Sequence, residues 1–290
     1  MRYSSIKPQY KYGQGFTLVE LVIVIVLLGI LSVGASGFIR LGSEMFVDTK
    51  NRSDMVATGR FITERLNREL RTALPNSIRV QNSGTVMQCL TYMPIITTAN
   101  YLNIPTASEN ETATNTFSVV AFDDSNIDVG GATEYRAAVY PASTAGIYNA
   151  INNQIIQPLG TVNTVVTPAA VDQNNRRDIT VSENILFATG SPTSRFYFIG
   201  ANNVSYCVLG RELKRFEGNN PIDDGGLVTF FNNNGVLMAN NLLNNHFPFS
   251  LNESTQFRNA TVLIQLVLQE GIDVNEQVTF NNEVHIPNAA

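Results

Sequence analysis

Residues 16–39, FTLVELVIVIVLLGILSVGASGFI, form a 24-residue stretch with one charge, Glu20. As a helix at about 1.5 Å per residue, such a stretch reaches about 36 Å, enough to cross a hydrocarbon core of about 30 Å. The residues before it, MRYSSIKPQYKYGQG, contain Arg2, Lys7 and Lys11 and no acid. After it come the mixed charges Arg40, Glu44, Asp48 and Lys50. This asymmetry sets the start of the chain in the cytoplasm and its bulk beyond the membrane. An uncleaved signal anchor is the simplest reading. A secretory signal peptide fits less well, because its apolar region runs about 7–15 residues and ends at a small-residue cleavage site. Glu20 is the discordant residue. A carboxylate within a span costs about 2.5–3.5 kcal/mol on insertion scales, so it calls for a partner and a function.

Composition narrows the function classes. The chain has 290 residues, length for one large or two modest domains. Its 19 basic and 24 acidic residues leave a net charge of -5, which argues against a basic nucleic-acid surface. Two Cys exclude a disulfide-dense scaffold and a four-Cys zinc site. With two His, no Trp and no HExxH, P-loop or GxSxG pattern, no catalytic residue, cofactor or metal site can be named. An enzyme is the least supported class.

The helical pattern continues past the span. Met55, Gly59, Ile62, Leu66, Leu70 and Ala73 recur at three- and four-residue steps, opposite Arg60, Glu64, Arg65, Asn67, Arg68 and Arg71. Glu64–Arg68 is an i,i+4 pair of favoured polarity. Pro75 stops the helix, so one helix is expected over residues 16–74. Its first half is apolar all round, and its second half has one apolar face for packing on a globular part. Gly29, Gly34, Gly37 and Gly42 suit close helix–helix packing in the membrane or, alternatively, local melting when the helix leaves the bilayer. The arginine-rich run 60–80 reads as a solvated helix face, since no aromatic residues interleave with it to form a stacking platform.

From residue 76 onward, short β-branched and aromatic runs alternate with polar loops. The expected strands are 86–93, 117–122, 135–140, 195–200, 204–209, 227–231, 261–268 and 277–286. Asn-Asn pairs punctuate them, because Asn tolerates turn geometry. Residues 141–180 read as loops with short strands. The expected fold class is α+β, a long N-terminal helix covering a β-rich domain. The expected divisions are 1–15, 16–39, 40–75 and 76–290.

Gly15, Phe16, Thr17, Leu18, Val19 and Glu20, after a basic leader and before an apolar stretch, resemble the type III signal of type IV pilins and type II secretion pseudopilins. The resemblance implies a pilin-like fold and cleavage after Gly15 by a prepilin peptidase, which then N-methylates Phe16. Removing the leader takes three cations from 19 and leaves 16 against 24 acids, a net of -8. It also implies a job for Glu20, which would pair with the new Phe16 amine of a neighbouring subunit, or of its own chain. Desolvation makes either charge left single much worse than both paired. Further segments, ERLNRELRTALPNSIRV, CLTY from Cys89, VSYCV around Cys207 and the ending EVHIPNA, resemble large minor pseudopilins of the J type and are most similar to MshO-type minor pilins of MSHA pili. Retention of the acid argues against the extreme filament tip.

That resemblance implies a single-pass protein of the bacterial inner membrane with its bulk in the periplasm, able to enter a surface pilus. Its implied partners are other major and minor pilins, the prepilin peptidase and the inner-membrane assembly platform, with no nucleic acid and no small-molecule substrate. In such a compartment Cys89 and Cys207 are expected to bridge; the alternative is two buried thiols in different strands. Asp123, Asp124 and Asp128, and Asp223–Asp224, precede glycines and read as turns before calcium ligands. His285 reads as a half-buried strand residue and His246 as loop. The glycosylation-type triplets at 110, 203, 252 and 259 read as chance. A pilus-borne adhesin and a DNA-uptake subunit are the competing binding classes.

Overall fold

The computed structural model describes residues 15–123, 125–127, 134–148, 155–161, 164–165, 174–218, 231–232, 234–254, 258–270 and 276–287. The chain divides into two compact units, Met1–Ser53 and Asp54–Ala290. Helix α1, Leu18–Arg71, supplies residues to both. The fold is α+β, with this long helix ahead of a β-rich part.

In the first unit every described residue from Gly15 to Lys50 is exposed. α1 runs unbroken through Gly29, Gly34, Gly37 and Gly42. A continuous apolar helix surface this large is not sustained in water and calls for lipid or other helices. Within it, the Ser36 hydroxyl donates to the Ser32 carbonyl at 2.7 Å, which satisfies the one donor that side chain has.

In the second unit the stripe read from the sequence is the buried one. Met55, Ile62, Leu66, Leu70 and Ala73 are at most 3% exposed. They pack on two sheets of this unit and on the segments that connect them. One sheet has five strands in the order β1 (Arg79–Ser83), β2 (Met87–Tyr92), β10 (Val204–Leu209), β11 (Glu212–Glu217), β12 (Val236–Ala239). The other has three: β13 (Phe249–Asn252), β14 (Ala260–Gln269) and β15 (Gln277–Ile286). The Gln88 side chain joins them, donating to the Phe249 carbonyl at 3.0 Å and accepting from its N–H at 2.9 Å. Gly59 permits the closest approach, because a Cβ there would collide with the Phe280 ring.

The third sheet has seven strands, ordered β6 (Ile156–Thr161), β5 (Glu134–Val139), β9 (Arg195–Gly200), β3 (Ile95–Asn103), β4 (Thr114–Val120), β8 (Arg176–Ile185), β7 (Thr164–Val165). It curls until β6 approaches β8 and encloses an aromatic core. There Phe117 and Phe198 both stack edge-on against Phe196, at 5.7 and 4.8 Å. A short helix, α2 (Thr144–Tyr148), covers part of its other face with Leu74 and Met93.

Four expectations need correction. α1 ends at Arg71, before Pro75, because the backbone beyond it is captured by the β2–β3 segment: the Leu74 N–H donates to the Met93 carbonyl at 2.7 Å and the Ile95 N–H to Thr72 at 2.8 Å. The ion pair on its last turns is Arg65–Glu69 at 2.8 Å, one residue on from the expected Glu64–Arg68. His285 lies in β15 but on its exposed side, since strand alternation turns Val284 and Ile286 inward. Of the strand expected over 227–231, residues 227–230 lie outside the described residues. Phe231 is helical and buried against Met87 and both cysteines.

Candidate functional site

The start of α1 gathers Gly15, Phe16 and Glu20. The Thr17 carbonyl accepts from the Leu21 N–H at 3.2 Å, and its hydroxyl accepts from the Glu20 N–H at 3.3 Å. Thr17 is therefore the N-cap, and it satisfies donors that the first helical turn otherwise leaves open. Thr17-Leu18-Val19-Glu20 is a capping-box sequence, a local signal that the sequence reading passed over. It places the Glu20 carboxylate in the first turn, at the positive end of the helix dipole. Phe16 lies just outside the helix, 84% exposed. Cutting the Gly15–Phe16 bond would thus create a cationic amine one residue before the cap. Residues 1–14, with the three leader cations, lie outside the described residues.

Beyond Glu20 the surface is apolar through Ile39, and the next charges, Arg40 and Glu44, pair with each other at 2.9 Å. Both are well exposed, so the pair contributes little stability. The segment can enter a bilayer or a helix bundle, where Glu20 without a cation is costly. α1 holds the stretch long and apolar enough to span a membrane.

Cys89 on β2 and Cys207 on β10 sit directly opposite in an antiparallel register and are bonded, S–S 2.04 Å. Both are fully buried, among Met87, Phe216 and Phe231. Beside them Thr91 and Ser205, also opposite each other, share a hydrogen bond of 2.9 Å. On the chain-entropy account, closing a loop of 118 residues contributes about 4–5 kcal/mol.

Asp123 makes a turn, its carboxylate accepting from the Ser125 N–H at 3.0 Å. Asp124, Asp128, Asp223 and Asp224 lie outside the described residues. His246 is in a loop, its Nε2 2.8 Å from the Gln265 carbonyl.

The polar cluster the sequence did not reveal centres on Glu69, in the last turn of α1. Its Oε2 accepts from the Tyr92 hydroxyl at 2.6 Å, the Tyr206 hydroxyl at 2.8 Å and Arg215 Nε at 3.1 Å. Its Oε1 accepts from Arg65 Nε at 2.8 Å. Burial alone would raise the Glu69 pKa. The bonds from Tyr92, Arg65 and Tyr206 and the Arg215 charge outweigh it and hold the pKa at about 2. Burial and the Glu69 bond push both tyrosine hydroxyls up, so they stay protonated donors. One carboxylate thereby ties the helix to β2, β10 and β11.

Comparison with curated proteins and with solved structures gave no match. A family model described as the prokaryotic N-terminal methylation motif does match, over residues 11–36. Those residues span the Gly15–Phe16 junction, the Thr17 cap, Glu20 and the first turns of the apolar helix, so this chain carries a type IV pilin-like N-terminal signal.

Proposed function

We propose that the protein is a structural, non-enzymatic minor pilin or pseudopilin. A prepilin peptidase removes residues 1–15 and methylates the Phe16 amine. The apolar part of α1 holds the subunit in the inner membrane, with the β-rich part in the periplasm, until it joins other pilins at an assembly platform. The observation that carries this reading is the methylation motif on residues 11–36, set where an exposed apolar helix begins. The resemblance of the later segments points to a minor pilin of an MSHA-like type IV pilus. A J-type pseudopilin of a type II secretion system is the second reading, favoured by the same segments. An adhesin role has no specific observation behind it.

Glu20 supplies the assembly chemistry. In the apolar environment of a bilayer or bundle its carboxylate and a neighbour's methylated amine are each costly alone. Pairing them selects the axial position at which one helix settles against the next. Gly15→Ala tests the processing step: the variant should accumulate as precursor retaining residues 1–15, visible as a higher intact mass in isolated membranes. Normal maturation of Gly15→Ala would count against a peptidase that reads this junction.

A further inference from the structure

Among the described residues six strands end the three sheets, and four of those are short or interrupted. β12 and β13 have four residues each, and β1 five. β6 contains Pro158 and shifts register against β5. Folded proteins protect open edges by such devices, because unpaired backbone groups otherwise recruit another strand. β15 has none of them. It runs for ten residues without Pro, Lys or Arg, and it pairs with β14 in ten consecutive positions without a shift. Among the described residues no strand pairs with its outer edge.

Its inner row is also incompletely covered. On β14, Val262, Ile264, Leu266 and Leu268 are at most 1% exposed. On β15, Val278, Phe280 and Asn282 are only half-buried. That row, Val278, Phe280, Asn282, Val284, Ile286, is symmetric in polarity about Asn282. An antiparallel pairing of two β15 strands centred there sets Val278 against Ile286 and Phe280 against Val284, with Asn282 facing its counterpart. On the outer row it sets Asn281 against Glu283 and Thr279 against His285. No two like charges meet. A pairing centred one residue later would put the two Glu283 side chains face to face, which is unfavourable.

We propose that the β15 edge is a recognition surface for a second copy of this chain, joining two three-stranded sheets into one of six strands across a two-fold axis. Main-chain hydrogen bonds hold such a strand addition, and the side-chain rows fix its register.

The test uses full-length protein in membranes, where the native cysteines are already bonded to each other. Asn281→Cys with Glu283→Cys should give a disulfide-linked dimer on mild oxidation. Thr279→Cys with Glu283→Cys should not, because those positions are not opposite in this register. In the cross-linking background, Thr279→Lys with His285→Lys sets lysine against lysine and should abolish the dimer. Thr279→Glu with His285→Lys sets opposite charges together and should keep it. No dimer from the first pair, equal yields from the two charge variants, or an adduct to a different protein would each overturn the proposal.

Discussion

Replacing Glu20 by Val is expected to leave membrane insertion and leader removal intact and to remove the subunit from assembled filaments. Insertion is untouched because the change makes the span more apolar. The loss at the helix start is modest: a carboxylate in the first turn contributes about 0.3–1 kcal/mol through the helix dipole, and the Thr17 cap, which bonds the backbone of residue 20, remains. The loss in assembly is larger. Removing one partner of a desolvated ion pair costs about 3–5 kcal/mol, because the neighbour's amine is left buried and alone. That difference separates the two roles of Glu20. Cross-linking of the mature variant to neighbouring pilins, with a count of filaments on cells, measures it. Full cross-linking and normal filament number in Glu20→Val would show that the pair is not used for assembly.

Glu69→Leu is expected to lower the stability of the β-rich unit by about 3–5 kcal/mol, among the largest effects of any single substitution. The variant strands two buried tyrosine hydroxyls and the Arg65 guanidinium at once, and leaves Arg215 with Glu217 alone. Chemical denaturation of the full chain in detergent gives the difference directly; a midpoint within error of the parent would contradict the role assigned to the cluster. The same carboxylate sets a pH dependence. Its folded pKa, about 2, lies below the ordinary carboxylate value of about 4.3. Its contribution is therefore complete above about pH 4.5 and lost as pH falls toward 2. Glu69→Leu should flatten the acid limb of the stability curve in that window.

Features set by local periodicity were legible in the sequence. The apolar stripe Met55 to Ala73 and the strand 277–286 were placed where the structure has them, because side-chain period alone decides both. Features set by tertiary pairing were not. β1 and β11 are polar strands that read as loop, and they are extended because β2 and β10 pair with them. The helix α2 has a Ser143 cap, the hydroxyl accepting from the Gly146 N–H at 3.2 Å, but five residues carry no period to read. The register that sets Cys89 against Cys207 joins strands more than 100 positions apart, and no local signal encodes it. Glu69 looked like one more charge on a solvated helix face. Its importance comes from Tyr92, Tyr206 and Arg215, which only the folded sheet brings to it.

The central claim is that this chain matures into a pilin-type subunit whose first residue is a methylated Phe16. Intact mass and N-terminal sequencing of the protein purified from its native membrane test it most directly. The expected chain begins at Phe16, carries one added methyl group on its amine and lacks residues 1–15. A chain that keeps those residues, or begins at any other position, would contradict the account.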